Sequence, residues 1–286
     1  MEYQKVLTYD SLSHNIKNAK YAVRGPIMIR AGELQQRLTK GEKFPFSEIF
    51  LCNVGNPHQL GQPPLSYNRQ VLACLMDKSL LTAGIYHKDV VEKAKSLYTF
   101  IPSSGAYAES QGIRQVRENC AKFIEKRDGF SSNPSHIFLS NGASDSIKNL
   151  ISCLIRDPKD GIMISVPRYP LYSADIVLKG GAIIPYYLNE ETQWSLDMAD
   201  LEKNHSEAVA KGINPRAIVV INPGNPTGAI LSKQNIEDVI KFCYSKRVVI
   251  LADEVYQHNV FDESVPFYSF KKVRFKKKKI SSYFRF

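Results

Sequence analysis

Apolar residues in this chain come in two textures: short unbroken runs, and longer segments in which they recur every third or fourth position. Gly161-Ile-Met-Ile-Ser165, Ala182 to Tyr187, Ala217-Ile-Val-Val-Ile221 and Val248-Val-Ile-Leu-Ala252 are runs of the first kind. Their β-branched, uninterrupted character predicts strands buried on both faces of a parallel sheet. His136-Ile-Phe-Leu-Ser140 reads as a further strand. Helical spacing links Ile147, Leu150, Ile151 and Leu154 after Asn141-Gly-Ala-Ser144, and then Leu171 to Leu178. It returns around Leu201 after Trp194-Ser-Leu-Asp197. Ser232 reads as the N-cap of a helix carrying Ile236, Val239, Ile240 and Tyr244. Upstream, helical patterns run through Ile29, Leu34 and Leu38, from Asn68 to Met76, and through Val116, Cys120, Phe123 and Ile124. Strands and helices alternating at short spacing predict an α/β fold with a mostly parallel sheet covered by helices.

The polar punctuation falls at the carboxyl ends of these strands, where the ligand crevice of such a sheet lies. Asn222-Pro-Gly-Asn-Pro-Thr-Gly228 follows one strand, and Asp253-Glu-Val-Tyr256 closes the next. Two Pro and two Gly cannot continue a strand. A dinucleotide or P-loop fold is excluded on residues, because no G-x-G-x-x-G follows a strand and no G-x-x-x-x-G-K-[S/T] occurs. Taken singly, the candidate residues have bland readings beside the functional ones. The amides of Ala143 and Ser144 suit a phosphate at a helix N-terminus, and Ser144 equally suits a plain N-cap. Tyr169 between two prolines suits stacking on a flat ring or packing in a core. Tyr107 in a Gly/Ser loop reads as a packing aromatic, and Gly55 as a close-approach site or a turn.

Charge changes the picture less than its total suggests. The formal net charge is +10, yet residues 271–286 hold eight Lys or Arg and no acid, which leaves +2 for the remainder. The basicity belongs to a tail, so nucleic-acid binding is not expected of the body. With 286 residues, 43% hydrophobic and 23% charged, the composition is that of a globular protein with a substantial core. Cys52, Cys74, Cys120, Cys153 and Cys243 form neither a C-x-x-C pair nor a His-flanked cluster, so no zinc site or disulfide framework is expected. A reducing, cytoplasmic setting follows as an expectation. No apolar run approaches a membrane span, and no secretory h-region opens the chain.

Together the candidate groups fit one ligand. A phosphorylated aromatic heterocycle needs amide donors for its phosphate, a face to stack on and donors for a ring phenolate. A carboxylate would keep its ring nitrogen protonated. Ala143 and Ser144, Tyr169, Asn225 with Tyr256, and Asp253 occur in that order. At this point the chain resembles the fold-type I pyridoxal-phosphate-dependent aminotransferases, and within them alanine aminotransferase. The resemblance rests on Tyr21-Ala-Val-Arg-Gly-Pro26, Gly61-Gln-Pro63, Arg69-Gln-Val-Leu-Ala73, Leu139-Ser-Asn-Gly-Ala-Ser-Asp145, Tyr169-Pro-Leu-Tyr-Ser-Ala174, Asn222-Pro-Gly-Asn-Pro-Thr-Gly228 and Leu251-Ala-Asp-Glu-Val-Tyr-Gln257. It implies a three-layer sandwich, here incomplete, with an N-terminal arm and small-domain segment over residues 1–60. A cofactor-binding large domain over 61–265 and a disordered basic tail over 266–286 would follow. It further implies that Ala143 and Ser144 hold the phosphate of pyridoxal 5′-phosphate and that Tyr169 stacks on its ring. Asn225 and Tyr256 would bond its 3-oxygen, and Asp253 would pair with its ring nitrogen. Tyr107 would reach the cofactor of a neighbouring subunit in a homodimer, Gly55 would lie near the substrate carboxylate, and the Asn225–Pro226 bond would be cis. Substrates would be an amino acid and a 2-oxo acid, L-alanine and 2-oxoglutarate.

After Val273 the resemblance stops. The Ser-x-Ser-Lys block that supplies the family's Schiff-base lysine does not occur in the 286 residues, and Lys276 to Lys279 sit in a like-charged run that reads as a solvated tail. No catalytic lysine is therefore assigned, and little activity is expected of the sequence as it stands. A non-catalytic partner subunit and an aminotransferase of other specificity are the alternatives.

Overall fold

The structure, a computed structural model, describes residues 8–21, 25–52, 55–101, 105 and 107–276. The basic tail from residue 277 onward lies outside them, as do residues 22–24 of the Tyr21–Pro26 motif, 53 and 54 before Gly55, and 102–104 and 106 before Tyr107. In chain order the first elements are α1 (His14–Asn18), α2 (Pro26–Thr39), α3 (Ser66–Met76), α4 (Lys88–Tyr98), α5 (Arg114–Asp128) and α6 (Ala143–Leu154). Then follow β1 (Asp160–Val166), α7 (Pro170–Leu178), β2 (Ala182–Asn189), β3 (Ser195–Leu196) and α8 (Met198–Ala210). The last are β4 (Asn214–Ile221), α9 (Lys233–Lys246), β5 (Val249–Asp253) and α10 (Phe270–Lys276). The chain divides into two compact units, one of residues 28–127 and 131–139, the other of the remainder.

The first of these units is helical. Val71 and Cys74 of α3 pack on Val90 and Ala94 of α4, with Leu80, Leu81 and Tyr86 around them. The Tyr98 hydroxyl caps the end of α3 by bonding the carbonyl oxygens of Cys74 and Leu75, each at 2.9 Å. At the head of α5, the buried Arg117 guanidinium donates to the Gly112 carbonyl at 2.8 Å, the Pro134 carbonyl at 2.9 Å and the Glu109 carboxylate at 2.6 Å. Gly112 has φ +94°, and a Cβ there would lie 2.6 Å from the Leu139 side chain, so only glycine fits. The strand expected over His136–Ser140 does not form. Pro134 starts a 3₁₀ turn that ends at His136, and the main chain beyond it follows no partner strand. The Leu139 amide bonds the Gln111 carbonyl at 2.9 Å, while Phe138 and Leu139 stay exposed.

The second unit is built on a five-stranded sheet in the order β3-β2-β1-β4-β5. All its pairings are parallel except the short β2–β3 contact. Alternation along the strands divides the core in two. Ile162 and Ile164 of β1 and Ala217 and Val219 of β4 face Ile151 of α6 and Tyr172 and Ile176 of α7. Met163, Ile184, Tyr186, Ile218 and Val220 face Leu201 of α8 and Ile236, Val239 and Phe242 of α9. This is the helix–sheet–helix sandwich the pattern implied, and it explains the apolar runs of the central β1 and β4. The run at 248–252, expected to be buried on both faces, instead gives the edge strand β5, with Val249 44% exposed. At the open ends of helices, Ser232 accepts from the Asn235 amide and Asp197 from the Ala199 amide.

The region expected to open a disordered tail begins in ordered structure. Phe270 and Val273 are buried in the α8–α9 core, and Ser269 donates to the Asp128 carboxylate at 2.8 Å. The two apolar positions three apart anchor α10, which the run of lysines around them obscured.

Candidate active site

Strand order locates the crevice. β1 leads through α7 to β2 on one side, while β4 returns to the other side of β1, so the chain leaves the two central strands in opposite directions. Their pairing also ends early. The last paired residues are Met163 and Ile218, although β1 continues to Val166 and β4 to Ile221. Tyr186 of β2 donates its hydroxyl proton to the Val219 carbonyl at 2.8 Å, at the level where β1 and β4 have ceased to pair.

Three strand ends deliver the polar side chains here. Asp253 is the last residue of β5. Its backbone carbonyl accepts the Asn222 amide at 2.9 Å, which ties the ends of β4 and β5 together. Its carboxylate is clamped from two elements: Oδ2 accepts the Tyr172 hydroxyl at 2.7 Å, and Oδ1 accepts the Val255 amide at 3.2 Å. Tyr172 is 2% exposed. Burial first, and then the adjacent Asp253 charge, push its phenol far above the usual tyrosine range. It therefore remains a donor to the carboxylate at any physiological pH.

Beyond β4, the Pro/Gly-rich loop is closed by its own backbone. The Gly224 amide bonds the Ala229 carbonyl at 2.8 Å, the Gly228 amide bonds the Gly224 carbonyl at 2.9 Å, and Gly228 takes φ +70°. Asn222 is fully buried and its Oδ1 accepts the Leu231 amide at 2.9 Å. The loop thus presents Asn225, whose Nδ2 lies 3.4 Å from the Tyr256 hydroxyl. The Asn225–Pro226 bond is cis, as expected, and so are Asn222–Pro223 and Val166–Pro167.

Tyr169 sits after β1 as the residue preceding α7. Its hydroxyl is 3.1 Å from that of Tyr21. That hydrogen bond first, then burial, and then the nearby Tyr21, Tyr256 and Asp253 groups raise the Tyr169 phenol to about 12. Tyr169, Tyr172, Tyr256 and Asp253 therefore form one cluster.

α6 approaches from the same face as α7. A short connection joins its C-terminus to the start of β1, and Ile151 packs on the sheet, so the helix runs back antiparallel to β1. Its twelve residues span about 18 Å and the seven of β1 about 23 Å, which brings the α6 N-terminus toward the strands' carboxyl ends. The N-cap is Gly142 with φ +86° and ψ 166°, and no side chain caps the helix. Ala143 and Ser144 are its first two residues, so Ser144 is inside the helix rather than its cap, and their amides face outward. Backbone N–H groups and the positive end of the helix dipole suit an anion.

Two predicted residues belong to the other compact unit. Tyr107 is 99% exposed. Gly55 is exposed with ordinary φ, and a Cβ there would meet nothing within 4 Å, so no local packing demands a glycine. Sequence reasoning missed Tyr172 and Tyr21. The i, i+3 spacing of Tyr169 and Tyr172 was a signal that both lie on one side of a helix's first turn. Tyr21 lies 148 residues from its partner, and nothing local announced it. Among the described residues no group of three His, Cys, Asp or Glu could hold a metal, and no helix is long and apolar enough to cross a membrane.

The family model for aminotransferase class I and II matches residues 77–280. The chain belongs to this family. Class I and II aminotransferases depend on pyridoxal 5′-phosphate. A probable mitochondrial alanine aminotransferase of Dictyostelium discoideum is 50% identical over 96% of this chain and 53% of its own length. Glutamate–glyoxylate aminotransferase 1 of Arabidopsis thaliana is 46% identical over 94% of this chain and 55% of its own. Among solved structures, an alanine aminotransferase from Pyrococcus furiosus aligns with TM-score 0.70 at 22% identity, covering 92% of this chain and 55% of that one. The fold of this aminotransferase chain is thus shared with solved aminotransferases, and the chain spans about half the length of the curated relatives it matches.

Proposed function

We propose that this chain forms the pyridoxal 5′-phosphate cradle of an alanine-type aminotransferase. The observation that carries the reading is the Asp253 carboxylate, fixed by Tyr172 and the Val255 amide in the crevice that also holds Tyr169, Asn225 and Tyr256. The donor set fits the cofactor group by group. Ala143 and Ser144 offer amides to the phosphate, and Tyr169 offers a ring face. Asn225 and Tyr256, 3.4 Å apart, offer two donors to one oxygen, and Asp253 offers a negative charge to a ring nitrogen. When bound, the cofactor's protonated ring supplies an electron sink for charge developing on the substrate.

The chain's own groups act by orientation and electrostatics. Asp253 favours the protonated state of a ring nitrogen placed beside it, because two neutral donors fix its carboxylate without neutralising it. Asn225 and Tyr256 stabilise an anionic oxygen. Tyr107, almost wholly exposed, suits a role completed by a second copy of the chain. L-alanine and 2-oxoglutarate are the substrates proposed, supported by relatives named as alanine aminotransferases at 43 to 50% identity. The 46% identity to glutamate–glyoxylate aminotransferase favours a second reading, in which glyoxylate is the acceptor. The test is titration of pyridoxal 5′-phosphate into the 286-residue chain, followed by fluorescence. Saturable binding that Asp253→Ala weakens about tenfold or more supports the proposal; an Asp253→Ala chain that binds as well as the parent removes it.

A further inference from the structure

The N-terminal arm contributes a residue that the cofactor reading does not use. Asn15 in α1 donates its side-chain amide to the Leu178 carbonyl, the last residue of α7, at 3.3 Å. Six residues later, the Tyr21 hydroxyl lies 3.1 Å from that of Tyr169, which immediately precedes the first residue of α7. The arm therefore runs antiparallel along α7 and is tied at both ends. From Asn15 to Tyr21 the chain makes three helical steps to the end of α1 and three beyond it, about 15 Å in all, which matches the roughly 14 Å of the nine-residue α7. A small side chain at position 21 would have served to cover α7. A tyrosine whose hydroxyl meets the one hydroxyl of Tyr169 does something more specific.

Neighbours on either side of a stacking ring limit its turn about Cβ–Cγ (χ2), whereas its swing about Cα–Cβ (χ1) carries the tip sideways and is restrained best by a bond at that tip. Tyr169 is only half-buried, so packing alone leaves that freedom, and the single polar atom at the tip is the one Tyr21 engages. We propose that Tyr21 is a positioning residue, whose hydroxyl holds the Tyr169 ring in its stacking orientation and so couples the arm to occupancy of the crevice. Either hydroxyl can donate in this bond, and the Tyr169 phenol, raised first by that bond and then by burial, keeps its proton at physiological pH. Tyr21 is about half exposed and Tyr169 only half-buried, so water can take the place of the Tyr21 hydroxyl at the tip of Tyr169 when it is removed.

This inference rests on the cofactor reading, and a double-mutant cycle separates the two. Pyridoxal 5′-phosphate is titrated into the full chain, Tyr21→Phe, Tyr169→Phe and the double variant, with the thermal midpoint of each ligand-free chain measured alongside. The expected result is a three- to tenfold weaker affinity for Tyr21→Phe, about the worth of one hydrogen bond, with the midpoint unchanged. In the Tyr169→Phe background the same substitution has no further effect. Restoring a hydrogen-bonding tip with Tyr21→His recovers part of the loss. Equal affinity of Tyr21→Phe and the parent overturns the inference and leaves the cofactor reading standing. So does an equal loss in both backgrounds, which would place the action of Tyr21 elsewhere. A parent chain that does not bind the cofactor overturns the cofactor reading and this inference with it.

Discussion

At the scale of single residues, the carboxylate of Asp253 depends on a donor that sequence alone did not assign. Tyr172→Phe removes one hydroxyl and no volume. Asp253 is only half-buried, so water replaces much of the lost bond and the stability cost falls near the low end, about 1 kcal/mol. The effect on cofactor affinity is expected to exceed it, because an untethered carboxylate no longer points at one place; urea unfolding and cofactor titration on the same protein separate the two. Asp160 makes the opposite case. It is buried, far from the crevice, and held by Arg156 through three bonds and by the Asn214 side chain at 3.0 Å. The Arg156 hydrogen bonds above all hold its carboxyl well below the usual carboxylate range. A depressed folded-state value stabilises fully above the ordinary carboxylate range, and that contribution is lost as pH falls through the folded value. Asp160→Asn should therefore flatten the acid limb of a stability–pH curve measured from pH 7 to 3. A limb of unchanged slope would show that other carboxylates govern acid unfolding.

At the scale of elements, α6 has two jobs that substitutions pull apart. Its inner face is anchored by Ile151, which is fully buried against β1 and α7, and Ile151→Ala is expected to cost about 2–5 kcal/mol. Its N-terminus starts at Gly142, whose backbone lies in a region that only glycine enters readily. Gly142→Ala should cost about 1–3 kcal/mol and shift the first amides of the helix, lowering phosphate affinity beyond what the stability loss explains. Equal losses from both substitutions in an inorganic-phosphate competition assay would contradict that separation. The elements were also where the sequence spoke most clearly. β1 and β4 were legible as apolar runs because burial on both faces disfavours polar interruption, and β2 and the edge strand β5 carry the same texture although several of their positions are exposed. α9 was legible through Ser232 and its spacing. The false strand at His136–Ser140 had the same apolar texture but no neighbour to pair with, and pairing is a property of the fold rather than of the segment. α4 escaped notice because Val90 and Ala94 are few among charged residues, and α10 because lysines surround Phe270 and Val273.

At the scale of the whole molecule, the crevice is assembled from strand ends far apart in the chain. Tyr169, Asn225, Asp253 and Tyr256 were named from their order and types, whereas the bonds that orient them, Tyr172 to Asp253 and Tyr21 to Tyr169, required the sheet order to be known. Tyr107 poses a question that only a pair of chains can answer. With its ring exposed, Tyr107→Ala should alter the stability of the isolated chain by no more than about 0.5 kcal/mol. Sedimentation and cofactor titration across a range of protein concentrations should show an affinity loss confined to the associated form. A loss that is independent of concentration would assign Tyr107 a role within its own chain.

The early parting of β1 from β4 has a corollary for how the hollow is kept from healing shut. Two neighbouring strands of a parallel sheet tend to zip to their tips, since every extra rung satisfies main-chain donors and acceptors. Tyr186, packed in the core beneath the sheet, occupies the Val219 carbonyl with its own hydroxyl, so an acceptor that a further rung could have used is already taken by a phenol. The parting of the two strands is thereby held by the chain's own side chain and belongs to the fold itself.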